Sequence, residues 1–178
     1  MTKAELTECI DVYGTDIYSF CVYLTGSRQE AEDLYQDTFL KAVELYEAIR
    51  VDQNPKSYLL AVAVRIWKNK RRKFAWRKRI AQVQTLTEEK DAQDYGGIGL
   101  SAEAEYLHKT DVQAVRAAVG ALPHRYRIVV LLYYMEGLTV AQIAAAVKIP
   151  EGTVKSRLYH ARKILEKELE VVLYEKRP

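Results

Sequence analysis

Apolar residues in this chain recur at intervals of three and four, not two, and four prolines, Pro55, Pro123, Pro150 and Pro178, are all that interrupt them. Spacing of three and four lines up side chains along one face of a helix, whereas a strand requires alternation. The pattern therefore predicts an all-α protein. Ile10, Tyr13, Ile17, Phe20, Cys21 and Leu24 form the first stripe. It ends at Thr25-Gly26-Ser27, where glycine can close one helix and serine can cap the next. A second helix is expected from Arg28 to Ile49, and a third from near Lys56, after the Asp52-Gln53-Asn54-Pro55 turn.

A length of 178 residues suits one ordinary domain or two small ones, so the pattern has to decide. Periodicity fails between about Gln82 and Ala102, a stretch that contains Tyr95-Gly96-Gly97-Ile98-Gly99, and resumes by Ala104. The expected organisation is two small helical domains, residues 1–81 and 104–178, joined by a flexible acidic linker over 82–103. Helices are expected at Val112–Leu122, Tyr126–Met135, Val140–Val147 and from Glu151 to about Tyr174.

Charge is segregated along the chain although the net value is only +3. Nine Lys or Arg and no acid lie between Arg65 and Arg79, whereas Gln84 to Asp111 carries seven acids against two lysines. With 49% hydrophobic and 29% charged residues, a folded globular protein is expected. The sequence has neither a signal peptide nor an apolar run long enough to anchor it, which points to the cytoplasm. Cys9 and Cys21 lie close together in an apolar helical pattern and read as buried thiols, and His108, His124 and His160 have no zinc-like spacing. Neither metal nor cofactor is expected.

Three segments can meet a macromolecule. In the first, Gly137-Leu138-Thr139 leads into Val140 to Val147, then Lys148-Ile149-Pro150-Glu151-Gly152-Thr153 turns into the last helix. Thr139 and Thr153 are expected caps. Alanines would let the two helices cross closely, with Ile143, Val147, Val154 and Leu158 filling the angle: the outline of a helix-turn-helix duplex reader. At 100° per residue, Gly152, Ser156, Tyr159, His160 and Lys163 fall opposite the apolar stripe, flanked by Lys155, Arg157 and Arg162. A basic amphipathic helix by itself is most often a solvated face; the preceding turn and helix argue for DNA.

In the second, Asp33, Gln36 and Asp37 share one exposed stripe of the second helix. Without a glycine loop, a histidine cluster or a nucleophile nearby, paired carboxylates give no catalytic site, and the chain is not expected to be an enzyme. In the third, Tyr58, Trp67, Phe74 and Trp76 are interleaved with Arg65, Lys68, Lys70, Arg71, Arg72 and Lys73. Cations can follow phosphates while rings stack on unpaired bases at about 1–3 kcal/mol each. Tyr58 and Trp67 also read as core, and the basic cluster as a solvated helix end.

Three strings carry a resemblance. Leu122-Pro123, Tyr126 to Leu131, Gly137-Leu138-Thr139, Ile143-Ala144 and Glu151 to Arg162 resemble region 4 of extracytoplasmic-function sigma factors. Ala31 to Ala42 is similar to region 2.2 of that family, and Ser57 to Lys73 to regions 2.3 and 2.4. The likeness runs from about Ile10 to Leu169. It implies that Asp33, Gln36 and Asp37 dock on the clamp helices of the largest subunit of core RNA polymerase. Lys68 and Asn69, with Arg65, Trp67, Arg71 and Arg72, would hold the opened strand of the minus 10 element, and the loop Arg50 to Lys56 would line a pocket for a flipped base. Lys155, Ser156, Tyr159 and His160 would approach the minus 35 duplex, with Arg157 and Arg162 on its backbone. Tyr58 stands where many members carry Trp, Arg65 where many carry Asn, and His160 where arginine is common.

The resemblance further implies promoter-specific initiation in response to envelope stress, with no small-molecule substrate. An anti-sigma factor, often membrane-bound, would restrain the chain and could hold it at the membrane. The competing reading is a stand-alone helix-turn-helix regulator, dimeric on a palindromic duplex.

Overall fold

In the computed structural model, residues 2–46, 54–83 and 108–174 are described. They form α1 (Lys3–Thr25), α2 (Arg28–Glu44), α3 (Pro55–Val83), α4 (His108–Ala121), α5 (His124–Val130), a π-helical turn (Leu131–Met135), α6 (Val140–Val147) and α7 (Glu151–Tyr174). The all-α expectation holds, in two helical groups. The expected linker lies outside the described residues except for its first two positions, which continue α3.

Local chemistry sets the helix ends. Thr2 caps α1 in a capping box with Glu5, and Gly26 closes that helix at φ 74°. A positive φ costs glycine nothing, which explains its place there. Ser27 then caps α2 through the Glu30 N–H, as expected. Two expectations need correction. The second helix stops at Glu44 rather than Ile49, because Leu45 leaves helical geometry at φ −117° and ψ 15°. Thr153 is not a cap, because α7 begins at Glu151 and the Thr153 and Val154 N–H groups already bond to the Pro150 carbonyl.

The first group packs α1, α2 and α3 around Ile17, Phe20, Leu24, Leu34, Leu59, Leu60 and Val64, all nearly or fully buried. Thr38 is buried on α2, and its hydroxyl donates to the Leu34 carbonyl at 2.6 Å, so it brings no unmet polar group into the core. In the second group, α7 lies across α4, α5 and α6, burying Leu122, Ile128, Leu132, Ile143, Val154 and Ala161. The two groups also touch: α3 packs on α6, and α1 packs on α5 and the π-helical turn.

At 29 residues, α3 is about 43 Å long. Its first half belongs to the core, whereas residues 69–80 are all exposed and carry Phe74 and Trp76 into solvent at 70% and 64% exposure. Cys9 and Cys21 are buried and unpaired, as expected. Burial pushes the Cys21 thiol up to about 12, with the Glu136 charge adding to the effect. A thiol-exchange reagent should therefore react slowly with the native chain and with two thiols per chain once denaturant is added. Fast stoichiometric labelling of the native protein would contradict this packing.

Candidate nucleic-acid interface

The helix-turn-helix rests on α6, whose N-terminus is held reciprocally: the Gln142 N–H donates to Thr139 Oγ1 at 3.2 Å, and the Thr139 N–H donates to Gln142 Oε1 at 2.9 Å. Thr139→Ala should cost about 1 kcal/mol, read as a lower urea midpoint at an unchanged slope. Lys148 closes α6 in the left-handed region at φ 57°, and the chain turns at once into α7. The tight turn is thus made by a residue with a Cβ, at a cost of roughly 1–2 kcal/mol.

Apolar Val154, Leu158 and Ala161 anchor α7, and its opposite face is open. Lys155, Ser156, Tyr159, His160 and Arg162 are exposed, and Arg157 is half-buried. Ser156 Oγ donates back to the Thr153 carbonyl at 3.1 Å, Arg162 Nη1 donates to the Tyr134 hydroxyl at 3.4 Å, and the Lys163 ammonium lies 5.1 Å from the centre of the Tyr159 ring. The His160 ring sits between those of Tyr159 and Tyr126, at 5.5 and 6.3 Å. Polar and aromatic tips on an exposed helix with cations at its edges can meet both base edges and phosphates.

On α2, Asp33 and Gln36 are exposed, while the Asp37 carboxylate holds the Lys70 ammonium of α3 at 2.6 Å. That pair is about half exposed on each side, so solvent leaves it weak. Beside the stripe, an open groove of about 360 Å³ is lined by Gly14, Thr15, Tyr18, Glu32, Tyr35 and Gln36. The Tyr35 ring packs edge-on against Tyr18 and Phe39, and its hydroxyl would lie 3.0 Å from any Cβ placed at Gly14. Leu34 and Phe39 are core, as expected.

The residues expected to hold an opened strand are divided. Arg65, Asn69, Arg71 and Arg72 are exposed. Trp67 is 5% exposed, edge-on to His124 at 5.0 Å with Arg71 over its ring at 5.2 Å, and Lys68 Nζ donates to the Val147 carbonyl of α6 at 3.1 Å. Burial lowers the pKa of Lys68, and the nearby Arg157 guanidinium lowers it further. Cations expected to serve two different DNA elements thus lie close together. Of the loop Arg50 to Lys56, residues 50–53 fall outside the described residues.

Sequence reasoning missed the polar joints between the helical groups. Arg127 is 6% exposed: its Nη1 donates to the Leu24 carbonyl of α1 at 3.3 Å, and its Nη2 donates to the carbonyls of Gly120 and Leu122. Lys56 meets Glu136 at 2.9 Å and Asp16 at 2.6 Å, and the Glu136 side chain is 1% exposed. Burial raises the Glu136 pKa, and Lys56 opposes that rise. A lone cation within the apolar run Tyr126 to Leu131 was the available signal for Arg127; Lys56 and Glu136 gave none. Among the described residues, no cluster of His, Cys, Asp or Glu could hold a metal ion, and no helix is long and apolar enough to cross a membrane.

Comparison with known proteins bears on the same segments. Residues 9–78 match Sigma-70 region 2, and residues 112–165 match Sigma-70 region 4. The ECF RNA polymerase sigma factor SigL of Mycobacterium tuberculosis is 30% identical over 157 residues, 87% of this chain and 83% of that protein. The ECF RNA polymerase sigma factor SigW of Bacillus subtilis is 26% identical over 169 residues, 91% and 87% of the two chains. Among solved structures, the sigma factor RpoE in complex with the anti-sigma factor NepR from Bartonella quintana has the same fold, with a TM-score of 0.70 at 24% identity over 96% of this chain and 99% of that one. CnrH in complex with the cytosolic domain of CnrY overlays at a TM-score of 0.62 and 15% identity, over 96% and 90%.

Proposed function

Because the chain belongs to the extracytoplasmic-function RNA polymerase sigma factors, we propose a division of labour among its helices in promoter-specific initiation. Asp33, Gln36 and Asp37 on α2 dock on the clamp helices of the largest polymerase subunit. Arg65, Trp67, Lys68, Asn69, Arg71 and Arg72 on α3 hold the displaced strand of the minus 10 element, with the exposed rings of Phe74 and Trp76 continuing that surface. Lys155, Ser156, Tyr159 and His160 read the minus 35 duplex, while Arg157 and Arg162 bind its backbone. Residues 1–81 and 104–178 act as the two working domains, with 82–103 passing between them.

The observation that carries this reading is the open face of α7, anchored by Val154, Leu158 and Ala161 and placed at a close turn after a doubly capped α6. A helix held in this way can enter a major groove without rearranging its own domain. No reaction is assigned to the chain. Strand opening draws on binding energy to the exposed bases, which offsets an unstacking cost of a few kcal/mol.

Regulation by an anti-sigma partner, tethering to the membrane through that partner from a cytoplasmic location, and induction by envelope stress belong to the same proposal. The RpoE structure, solved with the anti-sigma factor NepR, supports it. The test adds the protein to core polymerase and a supercoiled promoter library. Start-site selection that depends on the chain is expected; folded protein with active core and no promoter-dependent transcript would refute the reading.

A further inference from the structure

Five side chains form one row that runs from α5 to α7. The Arg125 guanidinium lies over the Tyr126 ring at 4.8 Å, Tyr126 lies 6.3 Å from the His160 ring, His160 lies 5.5 Å from the ring of Tyr159, and the Lys163 ammonium covers Tyr159 at 5.1 Å. Arg125 and Tyr126 belong to the first turn of α5, and the other three to the open face of α7. A residue proposed to read bases is thus tied to a helix outside the reading face.

We propose that Tyr126 is a positioning residue for duplex reading: it fixes the His160 imidazole on the α7 face so that the ring N–H donates to a guanine of the minus 35 element. The proposal rests on the assignment of duplex reading to α7. An exposed histidine turns about a broad terminal torsion, so its donor has no fixed direction of its own. Tyr159 cannot supply one alone, because consecutive residues of a helix point about 100° apart and do not face each other. Tyr126 comes from a second helix, and its ring is tilted 42° to the imidazole, against 74° for Tyr159. Two rings at different angles restrict the imidazole more than either does.

Tyr126 suits this task because its own place is set by the core. It is half-buried and packs against the apolar interior, and its neighbours Arg127 and Ile128 are buried. Its N–H bonds to the Pro123 carbonyl at 2.8 Å, which fixes the turn that carries it. Arg125 and Lys163 steady the two tyrosines by the attraction of a cation for a ring, while His160 stays exposed between them. A neutral imidazole offers a single donor, so its direction decides which base edge it can satisfy. Guanine sets two acceptors, N7 and O6, side by side; adenine puts a donor next to N7, and thymine a methyl group next to O4. A donor held in one direction selects guanine, and a donor free to turn does not.

The test uses holoenzyme assembled from the full chain and core polymerase, on promoters whose minus 35 base pairs are replaced one at a time, with binding measured by competition. His160→Ala marks the position that His160 reads: selectivity for guanine there should fall about tenfold. Tyr126→Leu should lower selectivity at that same position about fivefold and leave the other positions within about twofold. Tyr126→Phe keeps the ring and should discriminate as the wild type does. The double variant Tyr126→Leu/His160→Ala should be no less selective than His160→Ala alone, because Tyr126 acts through His160. Circular dichroism checks folding, and Tyr126→Met replaces Tyr126→Leu if helicity is lost. Equal loss at every position, or a double variant less selective than His160→Ala, would reduce Tyr126 to a structural residue and overturn the proposal. A preference at the marked position for a base other than guanine would overturn the guanine contact. If His160→Ala flattens no position, His160 is not a reader and the assignment to α7 loses it; if it flattens one that Tyr126→Leu leaves intact, only the positioning role fails.

Discussion

Reversing the α2 stripe with Asp33→Arg and Gln36→Arg together is expected to weaken association with core RNA polymerase at least a hundredfold, about 2.7 kcal/mol, with the fold intact. Both side chains are exposed and have no place in the core, so the stability change should stay within about 0.5 kcal/mol. If α2 docks as proposed, two new cations in place of an acid and an amide add repulsion to the lost contacts, and repulsion of this kind discriminates strongly between partners. Asp37 is left out of the variant because its pairing with Lys70 at 2.6 Å would mix docking with a change on α3. The measurement is a binding titration with labelled core enzyme, with circular dichroism and urea unfolding alongside. A doubly reversed chain that bound core as the wild type does would move the docking surface off α2.

The second large effect concerns Arg127. Its guanidinium serves the carbonyls of Leu24, Gly120 and Leu122, joining the end of α1 to both sides of the α4–α5 turn. Hydrogen bonds from a charged donor contribute about 1.5–3 kcal/mol each, and a buried carbonyl left unmet costs about 1–3 kcal/mol. Against this stands the penalty of burying the charge, which lowers the pKa of Arg127 with Arg71 nearby adding to it. Arg127→Ala should therefore destabilise the second helical group by about 3–5 kcal/mol, through unmet carbonyls and a cavity. Its melting temperature should fall by roughly 10 °C or more. Arg127→Met fills the space without donating, so it isolates the hydrogen bonds from the packing. If the Met variant unfolds at the wild-type midpoint, the three bonds only balance the burial of the charge.

What could be read in advance divides along physical lines. Helix positions, the Ser27 and Thr139 caps, the Gly26 stop and the buried seam of α7 follow from periodicity and local hydrogen bonding within a few residues. The early end of α2 and the start of α7 at Glu151 turn on backbone geometry at one or two positions, Leu45 and Pro150, which a periodic pattern does not resolve. The exposure of Asp33, Gln36 and the α7 face was legible because amphipathicity marks which side of a helix meets water. The covering of Trp67 and Lys68 was not legible. It depends on pairs 57 and 79 positions apart, Trp67 with His124 and Lys68 with Val147, whose meeting no local spacing encodes.

One feature of the second group bears on how such chains tolerate length changes. Between Leu131 and Met135 the backbone is wound as a π-helix: the Glu136 N–H bonds to the Leu131 carbonyl, five residues back, at 3.1 Å. A π-turn accommodates one residue more than an α-turn in the same rise. Deleting a single residue within it would allow a regular α-helix, and secondary structure would survive. Glu136, which directly follows the turn, would then be rotated by roughly 100° about the helix axis and carried away from Lys56. Indels are usually confined to loops; here a one-residue indel inside a helix would act as a rotational switch on a distant ion pair.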